Sequence, residues 1–453
     1  MKTKEEVLFE DAPVGRAVLS LVIPTVISQL ITVIYNMADT FFVSQLGTSA
    51  SGAVGVIFSA MSIIQALAFM IGMGGGNFMT RSLGAGKREQ AEHIVSIAFF
   101  TGIIMGLVIT VLATFNIHRV ILLLGATETI APYAEAYARY IFIAAPFMIC
   151  SFIMNNLLRF QGKASYAMVG ITIGGLLNIA LDPLFIFSMG MGTAGAALAT
   201  GLSQFISFCI LLWMCNHQES CISISIRNFQ PKLAIYREII YGGIPSLGRQ
   251  GIASVATILM NFMCQPYGDA AIAAMSIVSR FMFFINSAII GFGQGFQPVC
   301  SYCFGAGLYD RIKKACWFCI RISTIVLLAL SIICFPTARS IITLFRRSDP
   351  TVIEIGTLAL RLQLITLPLQ GTVIMGNMMP QSIGYGFRAT LVSTARQGIF
   401  LIPLLTILTF TLGLFGIQCA QPIADIATFL LALFVIRGIF REFPKDASSS
   451  LTH

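Results

Sequence analysis

Twelve long apolar runs dominate this chain, and few folds can accept them. Stretches without sustained charge fall at about 17–45, 50–79, 90–114, 132–158, 166–188 and 194–215, and again at 239–263, 270–303, 315–336, 352–379, 390–410 and 416–436. A helix needs about 20 apolar residues to cross the hydrocarbon core of a bilayer. Runs of this length therefore predict an all-α polytopic membrane protein with twelve transmembrane helices. Only 10% of the 453 residues are charged and 57% are hydrophobic, whereas soluble domains carry roughly 25% charged residues. That composition excludes an ordinary soluble domain, a disordered chain and a nucleic-acid binder. The N-terminal MKTKEEVLFEDAPVGR is polar, and the apolar stretch after it is too long for a cleavable signal.

The two sets of six runs repeat one another. Adding 221 carries Pro24 onto Pro245, Gln29 onto Gln250, Gly47 onto Gly268, Gly74 onto Gly295, and Gly84-Ala85-Gly86 onto Gly305-Ala306-Gly307. An offset of 222 carries Arg139, Pro146, Asn155 and Gly162 onto Arg361, Pro368, Asn377 and Gly384. An ordered series of this kind marks an internal duplication. An even number of spans per repeat leaves both halves in the same membrane orientation, related by an axis along the membrane normal. The expected organisation is a six-helix lobe over 1–215, a polar inter-lobe linker over 216–238 and a second six-helix lobe over 239–453 with a short tail. A cleft between such pseudo-twofold-related lobes is a natural substrate path.

Charge placement predicts the orientation. With a cytoplasmic N-terminus, eighteen Lys and Arg fall on that side, among them Lys2, Lys4, Arg81, Arg159, Arg237, Arg388 and Lys445, against four on the other: Arg119, Arg339, Arg346 and Arg347. Excess Lys and Arg mark cytoplasmic loops, so both termini and the linker are expected inside a plasma membrane, the cell membrane of a bacterium. The net charge of +9 then needs no polyanionic partner.

Charges within the spans are the sharpest functional signal, because an ionisable group at membrane depth is costly and normally faces a cavity or a partner. Three acids are embedded: Asp39 in YNMADTFF, Asp182 in NIALDPLFIF, and Asp425. Asn178 precedes Asp182 by four residues, which puts both on one helix face. Pro183 removes a backbone donor and should free a carbonyl beside the carboxylate. Two carboxylates, an amide and carbonyl oxygens suit a small hard cation; they suit a proton carrier equally, since burial favours the neutral carboxyl. The plainer alternative is that each Asp caps a helix end or pairs with an Arg. By the offset, Asp39 falls on Met260 and Asp182 near Pro403, so the acidic pair belongs to the first half, and Asp425 has no evident partner.

Arg249, Arg280 and Arg396 are embedded in the second half, where they would serve as counter-charges or bind anionic groups. Gln29, Tyr35, Asn36, Arg249, Gln250, Arg280 and Asn377 are the candidate lining of the cleft. Nine of eleven cysteines lie in or beside apolar runs, and buried Cys behaves as a small hydrophobe. Cys300-x-x-Cys303 and Cys316-x-x-Cys319 have a zinc-like spacing, yet their repeat counterparts Met79, Ser82, Val95 and Ala98 carry no thiol. His93, His118, His217 and His453 are scattered, and no phosphate-binding or hydrolytic motif is present. A non-enzyme that needs no cofactor and draws its energy from an ion gradient is the expectation.

The IPT and IPS at the start of the two halves, YNMADTFFVSQLG, the GAG loops, NIALDPLFIF and the GTAGAALAT after it resemble the multidrug and toxic compound extrusion (MATE) family of secondary transporters, from about Ala17 to Arg437. The resemblance is closest to the bacterial branch that includes the DNA-damage-inducible and staphylococcal multidrug exporters. It implies two six-helix lobes in a V, alternately open to each side, exporting small cationic or amphipathic compounds from a lipid bilayer in exchange for H⁺ or Na⁺. It implies a first-lobe cation site at Asp39, Asn178, Asp182 and Thr200, able to take Na⁺, with Asn155 as a further member. A second-lobe site in that family uses acids in helices seven and ten, which these helix interiors lack. The chain is expected to act as a monomer without nucleic acid. A lipid-linked precursor flippase of the wider superfamily, with Arg249 and Arg280 on a phosphate headgroup, is the alternative; a lipid-modifying membrane enzyme is a further one that lacks a catalytic constellation.

Overall fold

A computed structural model describes residues 7–217, 222–345 and 349–444. Lys2, Lys4, Arg346, Arg347, Lys445 and His453, invoked above for charge or histidine chemistry, lie outside the described residues, as does Cys221. Within them the chain is helical, with no strand. Twelve long helices follow in order. The first six are α1 (Val14–Ser44), α2 (Thr48–Gly84), α3 (Arg88–Phe115), α4 (Ala131–Phe160), α5 (Ala164–Ser188) and α6 (Gly192–His217). The second six are α7 (Leu233–Cys264), α8 (Asp269–Gly305), α9 (Tyr309–Phe345), α10 (Pro350–Ser382), α11 (Gly386–Leu412) and α12 (Leu414–Glu442). Eleven are long and apolar enough to cross a membrane. The twelfth, α7, has 32 residues but carries Arg237, Glu238, Arg249 and Gln250 and is correspondingly less apolar. The protein is a multi-pass membrane protein.

Short turns set the antiparallel order, and they betray the duplication. Gly47 and Gly268 precede α2 and α8 with φ of 112° and 84°, and Gly86 and Gly307 follow the same helices with φ of 73° and 74°. A side chain is strained at such angles, which explains why these positions kept glycine in both halves. The tertiary contacts repeat as well. Asn155 Nδ2 donates to the Ala167 carbonyl at 2.8 Å, and Asn377 Nδ2 donates to the Ala389 carbonyl at 2.9 Å.

The halves are joined by crossed helices. Val18, Leu21 and Val22 of α1 are buried in a core built mainly by α7–α12, while Ile235 and Ile239 of α7 are buried in one built mainly by α2, α3 and α4. Close approaches between halves rely on missing side chains. A Cβ on Gly74 would overlap the Ile239 carbonyl of α7, and one on Gly295 would overlap the Val22 backbone of α1. Gly84 faces the Tyr302 carbonyl and Gly305 faces the Arg81 carbonyl, two contacts exchanged by the offset of 221, as a pseudo-twofold axis requires. All these crossings lie in the helix halves nearest the chain termini. At the same end of the bundle Arg81 Nη1 donates to the Ser382 carbonyl at 3.2 Å, and Ser301 Oγ donates to Asn77 Oδ1 at 2.8 Å.

One expectation needs correction. Arg159, counted above with the cytoplasmic charges, is only 3% exposed inside α4. Between the lobes, α6 runs to His217 and α7 begins at Leu233, so the expected linker of 216–238 includes the first turn of α7.

Candidate functional site

The acids of the first half are brought together by α1, α4, α5 and α6. Asp182 lies one residue before Pro183, where α5 gives way to a π-helical turn over Leu184–Ser188; such turns concentrate at functional sites. Its side chain is fully buried. Asn178, one turn earlier on the same face, donates through Nδ2 to Asp182 Oδ1 at 3.2 Å and to Thr200 Oγ1 of α6 at 3.3 Å. From the far end of α1, Asp39 accepts a long hydrogen bond, 3.5 Å, from the Tyr137 hydroxyl of α4. Asp39, Asp182 and Tyr137 lie close enough together for their charges to interact.

The hydrogen bonding of this cluster is incomplete. Asp39 Oδ1, Asn178 Oδ1 and Asp182 Oδ2 are buried without a hydrogen-bond partner, as is Ser203 Oγ one turn from Thr200. A buried polar atom without a partner is costly, and a buried carboxylate without a counter-charge more so. Three uncommitted oxygens in one cluster of side chains are a donor set for a small hard cation, and protonation of a carboxyl would satisfy them in another way. Among the described residues no group of three or more His, Cys, Asp or Glu is placed to hold a metal ion, so a cation here would depend on the amide and hydroxyl oxygens as well.

The other candidates are distributed along the same half and beyond. Tyr35 lines a cleft with Thr32, Ser151, Phe152, Gly175 and Gln204, and its ring is the nearest contact of the bare Gly175. Asn36 sits beside it on α1, where its carbonyl accepts from Thr40 Oγ1 at 2.9 Å. Asn155 is not in the acidic cluster: one of its amide N–H groups is bonded to the Ala167 carbonyl, eleven residues before Asn178 and about 16 Å away along α5 at 1.5 Å per residue. Gln29 Nε2 donates to Gln294 Oε1 across the halves at 3.0 Å. In the second half, Arg249 Nη1 donates to Asn377 Oδ1 at 3.0 Å, Gln250 is partly buried on the next position, and Arg280 is exposed on α8. Asp425, without an evident partner in the sequence, is paired: Arg396 Nε donates to its Oδ1 at 2.8 Å. Glu238 and Glu354, the acids of α7 and α10, are exposed near helix ends.

Tyr137 and Gln204 escaped the sequence reading. Both are neutral residues inside apolar runs, with no local pattern to separate them from packing. The spacing of Tyr137 from Thr193 and Thr200, on a helix packed against α4, becomes informative only once that packing is known.

Comparison with known proteins finds relatives of the same length and fold. A family model described as MatE matches residues 24–184 and 245–407, one segment in each half. The Multidrug export protein MepA of Staphylococcus haemolyticus (strain JCSC1435) is 26% identical over 453 residues, covering 99% of each chain. Its counterpart in Staphylococcus aureus (strain MRSA252) is 28% identical over 451 residues, again 99% of each. Among solved structures, a MATE transporter in complex with MaL6 superposes with a TM-score of 0.92 at 26% identity, covering 98% of this chain and 99% of that one. An outward-facing multidrug resistance MATE family transporter of the MOP superfamily gives the same score, identity and coverage.

Proposed function

Because this chain belongs to the MatE family, we propose that it is a secondary active exporter that moves small cationic or amphipathic compounds out of the cell in exchange for H⁺ or Na⁺. The observation that carries this reading is the set of buried, unsatisfied oxygens on Asp39, Asn178 and Asp182, which a coupling cation or proton would complete together with Thr200. The curated relatives are multidrug export proteins over their whole length, which supports the substrate class.

The proposed cycle uses the lobes as its two-state element. The first lobe is 1–215, the linker 216–238 and the second lobe 239–453, with both termini on the cytoplasmic side of a bacterial cell membrane and a single chain as the working unit. Substrate enters the cleft from the cytoplasm or the inner leaflet. Binding of the cation at Asp39 and Asp182 alters the end of α1, and that change favours the state from which substrate leaves. Ion and substrate are then linked reciprocally, each changing the affinity for the other by the same factor. No cofactor is needed and no bond of the substrate is broken, so the protein acts as a transporter and not as an enzyme.

Efflux of ethidium from cells expressing wild type or Asp39→Asn, with Na⁺ and pH gradients imposed separately, tests this. Export that requires Asp39 and follows one gradient supports the antiporter and names its ion. Wild-type export by the variant, or absence of export under either gradient with protein verified in the membrane, overturns it.

A further inference from the structure

A second polar cavity lies where α1, α4 and α5 of the first half meet α8 of the second, and it is electrostatically the reverse of the acidic cluster. Its polar walls are Thr25, Ser28, Gln29, Asn155, Arg159 and Gln294, around a small cavity of about 20 Å³. It shares Thr32, Phe152 and Ile171 with the cleft that holds Tyr35, so the two adjoin.

Arg159 is the anomaly. It is 3% exposed, yet every partner it has is neutral: Nη1 donates to Gln294 Oε1 at 2.8 Å, and Nη2 donates to Asn156 Oδ1 and, at 3.1 Å, to Met73 Sδ. Its Nε has no partner, and no carboxylate is within ion-pair distance among the described residues. A buried guanidinium that lacks a counter-charge is strongly disfavoured in an apolar medium. The surrounding groups leave donors to spare. Gln294 Oε1 accepts from both Arg159 and Gln29, which commits its oxygen and leaves its amide N–H groups for the cavity. Asn155 uses only one of its two N–H groups, on Ala167. The repeat sharpens the point: the counterpart of Arg159 in the second half is the neutral Gln381, whose oxygen accepts from Gln297 at 3.1 Å.

We propose that this cavity is an anion subsite, in which Arg159, Gln294 and Asn155 receive an oxyanion group, a phosphate or carboxylate, either as a free ion or as the headgroup of an amphiphile. Guanidinium and amide donors match such groups geometrically. The subsite does not rest on the export proposed above, because its occupancy is read on purified protein without any gradient.

The experiment measures the thermal unfolding midpoint of the purified full chain in detergent, with inorganic phosphate, with octyl phosphate below its micellar concentration, and with octyl glucoside as the tail control. Ionic strength is held constant. Expected is a saturable rise of a few degrees with octyl phosphate and none with the control; an equal rise with inorganic phosphate identifies a free ion as sufficient, and a rise with octyl phosphate alone identifies an amphiphile headgroup. Gln294→Glu places a carboxylate against Arg159 and should abolish the response while the protein still melts cooperatively. Gln29→Glu supplies the same charge from α1 if Gln294→Glu does not fold. No response in wild type, or an undiminished response in the folded Glu variant, overturns the subsite.

Discussion

Arg396 donates through Nε to Asp425 at 2.8 Å, with Asp425 2% exposed, so the embedded acid of the second half is already neutralised. Gln421 Nε2 donates to the same oxygen at 2.9 Å and Thr366 Oγ1 to the other at 3.4 Å. By the repeat offset of 221, Asp425 corresponds to Gln204 and Gln421 to Thr200, and Arg396 falls on the Gly174-Gly175 pair. Where the first half leaves room for Tyr35 beside a bare glycine, the second half has a closed ion pair. The duplicated halves thus differ in what their polar interiors still lack: acidic oxygens without partners in the first, a satisfied pair in the second.

That pair should respond as a buried pair does. Asp425→Asn leaves Arg396 without its counter-charge and is expected to cost about 3–5 kcal/mol, whereas replacing both, as Arg396→Met with Asp425→Leu, should cost far less. Thermal unfolding of the single and double variants in detergent checks this. A single variant that melts with wild type would show that the pair contributes nothing.

In the first half the two acids should fail together. Asp39→Asn and Asp182→Asn are each expected to reduce ethidium export to the level of cells without the protein, at unchanged abundance in the membrane. The double variant should lose nothing further, since the residues act as one unit. Independent partial losses that add in the double variant would contradict a shared site.

Tyr137→Phe removes the hydroxyl that reaches Asp39 at 3.5 Å and keeps the ring buried. One hydrogen bond of this kind contributes about 1 kcal/mol, or roughly fivefold. The coupling-ion concentration for half-maximal efflux should change by about that factor, with the melting temperature nearly unmoved. A large loss of stability with unchanged ion dependence would assign Tyr137 to packing alone.

Gly74 and Gly55 offer a matched pair on α2. A Cβ at Gly74 would run into the Ile239 carbonyl, whereas one at Gly55 meets nothing within 4 Å. Gly74→Ala should therefore destabilise this arrangement by about 1–3 kcal/mol through overpacking. Gly55→Ala should be neutral or stabilising by under about 1 kcal/mol, from helix propensity. Melting temperatures of the two variants in one detergent decide it; equal values would mean that α2 and α7 separate without cost.

The spans, the duplication and the costly carboxylates were legible without a structure, because each follows from local rules. An apolar run of membrane length must close its own backbone hydrogen bonds as a helix, and Asp39, Asn178 and Asp182 declare themselves by polarity in an apolar setting. Thr200 was named only through family resemblance, and the tertiary structure is what puts it against Asn178. The burial of Arg159 is not legible in the sequence because it lies one residue from the end of α4, where composition does not distinguish a loop charge from a buried one. The partnerships that matter, Tyr137 with Asp39 across 98 residues, Arg159 with Gln294 across 135, Arg396 with Asp425 across 29, are set by how helices cross. The sequence alone determined that this chain spans a membrane in two related halves and where its charges are expensive. Only the tertiary structure decided which of those charges are compensated, because compensation depends on atoms a few ångströms apart on different helices, and hydropathy and spacing along one helix do not encode that distance.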